Sequence, residues 1–314
     1  MKSQVEISRL SIVIVTFNPD LQLLSRIISV LPQESALVLV DNFSRSEFTM
    51  KLIELTKKHK RFSIILNNSN FGLATALNQG IKESIRLWSD TLFLLLLDQD
   101  SEPRIGSIEI LMSSCQGLIV KHKKFGCVGP NLIDPHTGIS HGFHRIQNFC
   151  WTRKYLNINE LEPLACHNLN GSGTLMPTFM YKTLGGMDES LFIDHVDTEW
   201  SFRVLAAGGF LYGIPNAVFD HRMGDSCKRY WVGRWRTFPI RSPLRHYYLF
   251  RNAVKLMHRQ YIPFTWKFWA TIKLIITFFL HILFDGRRFS QAMAMIKGVC
   301  ESLSPNNFKN QKSK

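Results

Sequence analysis

The sequence predicts an α/β fold: a mostly parallel central sheet flanked by helices, followed by a C-terminal helical appendage that is basic and aromatic. Three observations lead there. Short β-branched or leucine-rich runs alternate with longer stretches of helical periodicity through the first hundred residues. Those runs are apolar almost without interruption, as strands are when helices cover both faces of a parallel sheet. The charge, finally, divides sharply along the chain. Residues 1–221 hold 20 Lys+Arg against 21 Asp+Glu, whereas residues 222–314 hold 18 against 3, a balance of +15.

Strands are expected at 10–16 (LSIVIVT), 36–41 (ALVLVD), 62–66 (FSIIL) and 91–97 (TLFLLLL), with helices near 20–31, 46–59 and 72–88 between them. Beyond residue 130 the pattern loosens as Gly, Pro and His scatter through PNLIDPHTGISHGFHRI. A helix is expected at 196–207, with Asp194 just before it. After Arg241 come aromatic, basic helices, SPLRHYYLFRNAVKLMHR and IPFTWKFWATIKLIITFFLHILF. The change of character places a boundary near residue 230, giving a domain of residues 1–230 and a helical region of 231–314.

With 314 residues, 45% hydrophobic and 20% charged, the chain is globular, neither fibrous nor disordered, and shows no repeat of fixed period. Its six cysteines form no C-x-x-C pair and no zinc-finger spacing, so reduced structural thiols are expected. The N-terminal MKSQVEISRLSIVIVTF has too short an apolar stretch and too acidic a lead-in for a secretory signal, which points to the cytoplasm.

In sheets of this kind ligands bind at the carboxyl ends of the strands. Those ends carry Thr16-Phe17-Asn18, Asp41-Asn42, Asn67 to Gly72, and Asp98-Gln99-Asp100. The last is a pair of carboxylates at the end of the most apolar strand, and oxygen ligation of that kind suits Mg²⁺ or Mn²⁺ bridging a diphosphate. An acidic pair at a core boundary is costly without a partner. A second acidic cluster, Asp194, Asp197 and Glu199, sits at the mouth of the 196–207 helix. Helix polarity and an i,i+4 pair with Arg203 account for Glu199. They account less well for Asp197, because three acids within six residues repel one another unless a cation or a proton-accepting role stabilises them. His221 ends an apparent strand; a lone histidine is usually structural, but beside Asp100 it can be a metal ligand. Asn170-Gly171-Ser172-Gly173 reads equally as a plain turn or as a close backbone approach to a ligand.

Taken in order, SIVIVTFNPD, VDNFS, NNSNFGLATALNQGI, LLLLDQDS, NGSGTLM, LFIDHVDTEWSFRVLAAG and His221 resemble the inverting family 2 glycosyltransferases over residues 10–225. Within that family LLLLDQDS, FIDHVDTEW and SPLRHYYLFRN are most similar to bacterial rhamnosyltransferases of O-antigen and polysaccharide assembly. The resemblance implies the GT-A nucleotide-diphospho-sugar transferase fold. It implies that Thr16 and Asn18 line the nucleotide pocket, that Asp41 binds the pyrimidine base, and that Asn70, Gly72 and Asn78 lie beside the nucleotide. Asp98 would approach ribose and metal, while Asp100 and His221 would hold Mg²⁺ or Mn²⁺. Gly171, Ser172, Gly173, Asp194 and Glu199 fall near donor and acceptor. The catalytic base falls at Asp197, but Val196 stands where an acid is more usual, which keeps Asp194 as an alternative. The implied donor is dTDP-β-L-rhamnose, and the implied acceptor is a polyprenyl-diphosphate-linked saccharide. A UDP-hexose donor, or a non-catalytic nucleotide-sugar sensor or scaffold, remains as an alternative.

The run from Phe268 to Phe284 is apolar over 17 residues, short of the ~20 that span a bilayer. Trp266, Trp269, Lys267, Arg287 and Arg288 around it suit a helix lying among headgroups of the anionic inner leaflet. A spanning helix and a buried, homo-oligomer-forming one are the alternatives. No nucleic-acid motif accompanies the positive charge, so nucleic acid is not an expected partner. The expected location is peripheral, on the inner face of the bacterial plasma membrane.

Overall fold

The computed structural model describes residues 6–221, 227–231, 235–239 and 241–304, with the side chains of 227–239 left aside. The chain forms two compact units. The first comprises residues up to 145, 152–192 and 196–222; the second comprises 146–151, 193–195 and the chain from 223 onward.

In the first unit the alternation read from the sequence is the observed order: β1 (Leu10–Thr16), α1 (Leu21–Val30), β2 (Ala36–Asp41), α2 (Ser46–Thr56), β3 (Arg61–Leu66), α3 (Leu73–Leu87) and β4 (Phe93–Asp98). There follow β5 (Ser101–Pro103), α4 (Ser107–His122), β6 (Gly126–Ile133), β7 (Phe143–Gln147), β8 (Cys150–Lys154), β9 (Leu164–Ala165), β10 (Leu175–Pro177), α5 (Thr178–Leu184), α6 (Val196–Ala206) and β11 (Phe210–His221). The main sheet runs β3-β2-β1-β4-β10-β6-β11-β5, with β9 also on β11.

β1 to β4 pair in parallel as expected, and β6 with β11 likewise. The sheet is nevertheless mixed, because β10 lies antiparallel between β4 and β6, and β5 and β9 lie antiparallel to β11. These three strands are two or three residues long, too short to carry a readable period. Side chains alternate across the parallel strands as the pleat demands. Leu10, Ile12 and Ile14 join the core under α1 and α4, with Leu24, Ile27, Leu111 and Met112. The opposite face takes α3, whose Gly80 is so close to β1 that an added Cβ would lie 2.4 Å from Val13 Cγ1. No larger residue fits that contact.

The second unit contains the β12 (Cys227–Trp231) and β13 (Trp235–Pro239) ribbon and three helices, α7 (Pro243–Met257), α8 (Phe264–Phe284) and α9 (Arg288–Leu303). α9 presses on α7 where Gly298 meets the Tyr247 carbonyl; a Cβ there would come within 2.5 Å. A buried polar stitch joins the helix ends: His246 Nδ1 meets Gln291 Oε1 at 2.7 Å, and Gln291 Nε2 donates to Asp285 Oδ2 at 3.0 Å. Asp285 in turn pairs with His281 at 3.1 Å. α8 begins at Phe264 and is 21 residues long, with a mean hydropathy of 1.6. It therefore exceeds the 17-residue apolar run read from the sequence and is long and apolar enough to cross a membrane, because Phe264 to Lys267 form its first turn. The interrupting His281 faces inward, whereas Phe264, Phe268, Ile275, Phe279 and Leu283 are exposed. Between the helices lies a groove of about 360 Å³ lined by Phe250, Leu274, Phe278, Met295 and Val299 among others.

Candidate active site

The site forms where the strands of the first unit end. At the tip of β1 and β2, buried Thr16 donates through Oγ1 to Asp41 Oδ1 at 2.9 Å. Ser44 donates to the same carboxylate twice, from its amide to Oδ2 at 2.9 Å and from Oγ to Oδ1 at 2.5 Å. Asn18 takes a left-handed turn (φ 47°) and accepts from the Arg45 amide at 2.9 Å. Asn42, adjacent to the expected Asp41, is the hub of this rim. It donates to Asn70 Oδ1 at 2.9 Å and accepts from the Phe71 amide at 3.1 Å and from Asn67 at 3.2 Å. Asn70 also accepts from Gly72 N at 3.0 Å. Gly72 needs its φ of +85° and its missing Cβ, which would meet the Phe192 ring at 2.5 Å. Thr16, Asn18, Asp41, Asn70 and Gly72 thus share one rim.

Asn78, expected beside the nucleotide, has protein partners for its side chain. It is buried and its amide is fully engaged: it accepts from Met187 N at 2.8 Å, and donates to Met187 O at 2.9 Å and Glu189 Oε1 at 2.8 Å. It anchors the chain that leads toward α6.

β4 ends at Asp98, and β5 turns back at once to pair with the end of β11, bringing Ser101 opposite His221. That pairing closes the acidic pair onto the histidine. Ligand atoms of Asp98, Asp100 and His221 all lie within 4.8 Å of one another. Two carboxylates and an imidazole at that spacing match the donor set of a divalent cation such as Mn²⁺ or Mg²⁺. Ser101 Oγ lies 2.5 Å from His221 Nδ1, and Asp100 Oδ1 lies 3.5 Å from the same nitrogen. His141 stands edge-on to His221 with ring centroids 5.2 Å apart, and its Nε2 donates to the His221 carbonyl at 3.3 Å. Burial, with the neighbouring His221, pushes the His141 imidazole down to about 4, so it is neutral near pH 7.

The Asn170–Gly173 turn connects this cluster to α6. Ser172 is buried, and its Oγ accepts from the Asp98 amide at 3.0 Å; Gly173 N donates to Leu96 O at 2.7 Å. On the other side of the turn, a Cβ on Gly171 would sit 3.7 Å from Asp197 Cβ. Asp197 is the second residue of α6, half-buried, with Oδ1 accepting from Thr198 N at 2.7 Å. One four-residue turn therefore touches both the metal-type cluster and Asp197.

Asp194 and Glu199 each form an ion pair of their own. Glu199 is buried and forms a two-pronged pair with Arg203 at 2.9 and 2.7 Å, as the helix pairing predicted. Asp194 is held by both prongs of Arg245 at 3.0 and 2.9 Å, with Arg241 at 3.9 Å. Both oxygens of Asp194 are thus engaged by a guanidinium, an arrangement that suits a structural ion pair. The sequence reading named Asn42 at a strand end without giving it a role, and did not single out Ser44, Ser101 or His141. Asn42 and Ser101 are each adjacent to a singled-out acid, but nothing in the chain announces that Ser44 or His141 comes near.

Residues 11–118 match the model of glycosyl transferase family 2. The chain is also 33% identical over 261 residues to a dTDP-rhamnosyl transferase, RfbF of Shigella flexneri, covering 82% of each sequence. The chain belongs to glycosyl transferase family 2. Solved structures agree on the fold. GalNAc-T7 with UDP, GalNAc and Mn²⁺ superposes with a TM-score of 0.58 at 18% identity, over 92% of this chain and 54% of that one. The mannosyltransferase PcManGT of Pyrobaculum calidifontis, in complex with GDP-Man and Mn²⁺, gives 0.55 at 13% identity, over 94% and 87%. This family 2 member has the GT-A fold of those neighbours and is a glycosyltransferase.

Proposed function

We propose that the enzyme transfers L-rhamnose from dTDP-β-L-rhamnose to a saccharide carried on a polyprenyl diphosphate, with inversion at the anomeric carbon. The observation that carries the reading is the turn described above, which joins Asp98, Asp100 and His221 on one side to Asp197 on the other. Similarity to a dTDP-rhamnosyl transferase at 33% identity supports the choice of donor.

In this reading Asp197 accepts the proton of the acceptor hydroxyl as that oxygen forms its bond to the anomeric carbon and the bond to the nucleoside diphosphate breaks. A single displacement inverts the β donor to an α product. The rim of Thr16, Asn18, Asp41 and Asn70 binds the nucleotide. Asp98, Asp100 and His221 would hold Mg²⁺ or Mn²⁺, whose charge stabilises the departing diphosphate. The exposed apolar face of α8, among the basic residues of the C-terminal region, supports peripheral attachment to an anionic inner leaflet. Such attachment puts the enzyme beside a lipid-linked acceptor.

A transfer assay with a panel of dTDP-, UDP- and GDP-sugars tests the proposal. The expected outcome is turnover with dTDP-rhamnose that is abolished in Asp197→Asn. Preferred turnover of a UDP-hexose would overturn the donor, and full activity of Asp197→Asn would overturn the base.

A further inference from the structure

The block SPLRHYYLFRN plays no part in the chemistry above, yet its side chains converge on three residues. Ser242 caps α7, its Oγ accepting from Arg245 N at 3.2 Å. Arg245 then grips Asp194 with Nε to Oδ2 at 3.0 Å and Nη2 to Oδ1 at 2.9 Å. Two turns on, buried Asn252 donates through Nδ2 to the carbonyls of Ile193 at 2.7 Å and Asp194 at 3.0 Å. Its Oδ1 accepts from Arg251 Nε at 3.1 Å, which fixes the orientation of the amide. His195 packs edge-on against Trp266 of α8, with centroids 5.6 Å apart. Ile193, Asp194 and His195 accordingly group with the helices of the second unit, although they sit in sequence between β10 and β11 of the first.

The gripped segment is strained. Phe192, Asp194 and His195 have φ of 61°, 62° and 63°, three left-handed residues out of four, none of them glycine. Such conformations persist only where surrounding groups over-determine them. The Phe192 carbonyl accepts from the Leu73 and Ala74 amides, while α7 holds Ile193 and Asp194 with a two-pronged ion pair and two hydrogen bonds to carbonyl oxygens. The residue after His195 opens α6, and the next is Asp197. The direction in which the chain leaves this segment sets the start of α6 and so the aim of its second side chain.

We propose that Arg245 and Asn252 are positioning residues for glycosyl transfer: by holding Ile193–His195 in its strained form, they aim the Asp197 carboxylate at the acceptor hydroxyl. The inference rests on Asp197 being the base. Neither residue belongs to the rim proposed for the nucleotide, which lies on β1, β2 and the turn before α3. Their loss therefore lowers the rate of the chemical step and leaves donor binding intact. A base misplaced by about 1 Å costs on the order of 10²-fold in rate.

The test uses the full chain with saturating Mn²⁺ and dTDP-rhamnose, comparing Arg245→Ala, Arg245→Lys and Asn252→Asp with the parent. Expected are a roughly 10- to 100-fold loss of kcat in Arg245→Ala and Asn252→Asp, and a donor KM within about twofold. A shifted kcat–pH profile and partial recovery in Arg245→Lys are also expected. Arg245 is half-exposed, so its two variants decide the matter even where Asn252→Asp fails to fold. Unchanged kcat, or a kcat loss matched by an equal loss of dTDP affinity, overturns the inference. Asp197→Asn run alongside separates the two readings. If it is inactive while the Arg245 variants match the parent, positioning alone falls; if it is active, the base assignment falls and positioning with it.

Discussion

Replacing Gly173 by alanine tests whether the turn between the acidic cluster and α6 is as tight as described. Gly173 has φ +80°, and an added Cβ would lie 2.3 Å from Pro130 Cγ, 2.5 Å from Pro130 Cδ and 3.2 Å from Phe219 Cε2. Pro130 is a ring inside β6 and Phe219 is fully buried, so neither can swing away. The left-handed conformation costs about 1–2 kcal/mol for a residue with a Cβ, and forced overpacking adds about 1–3 kcal/mol. At roughly 2 °C per kcal/mol for a chain of this size, the melting temperature should fall by about 4–10 °C. Gly171→Ala is the matched control. Its Cβ meets only Asp197 Cβ, at an ordinary 3.7 Å. Its melting temperature should stay within about 1 °C, while the added methyl beside Asp197 slows transfer. Thermal melts followed by circular dichroism, with initial rates on the same preparations, read both effects. A Gly173→Ala protein melting within about 1 °C of the parent would refute the reasoning.

Three further outcomes follow from the geometry. Asn78→Ala leaves the Met187 backbone without its buried partners, so it should cost about 2–4 kcal/mol in urea unfolding while leaving dTDP affinity unchanged; a large loss of dTDP affinity with normal stability would return Asn78 to the nucleotide. Chelation by EDTA should abolish transfer and added Mn²⁺ or Mg²⁺ restore it, and Asp100→Asn and His221→Ala should each weaken Mn²⁺ binding measured by electron paramagnetic resonance; unaltered binding would displace the cation from this cluster. Burial lowers His141, His195 and His246 to about 4 from 6.5. The unfolded chain then takes up protons near pH 6.5 that the folded chain refuses until about pH 4, so stability falls as pH drops through that window. Asp285, held down to about 2 against the effect of its burial by hydrogen bonds from Arg287 N, His281 and Gln291, loses its contribution only below that range. A melting temperature constant between pH 7 and 5 would contradict these assignments.

The parallel half of the sheet was legible because β1, β2 and β4 are buried on both faces and are apolar almost up to their polar ends. The antiparallel β5, β9 and β10 were not, since their pairing is decided by partners far along the chain. The same division holds at the site. Asp98, Asp100 and His221 stood out because each ends an apolar run, and the structure gathers them. Asp194 stayed an alternative to Asp197 in sequence because nothing local reveals that Arg245, 51 residues on, pairs with it. Asn78 matched a motif position, but its burial against Met187 depends on how a segment over a hundred residues later folds back. The strain at Phe192, Asp194 and His195 was invisible for a related reason: bulky residues do not advertise a left-handed backbone.

The Ser101–His221 contact bridges 120 positions of chain. During synthesis β1 to β4 emerge well before β11. A product ending before Phe210 would therefore lack His221, one of the three side chains gathered there. A cation held by this cluster would therefore stabilise only a chain in which β11 has been added to the sheet.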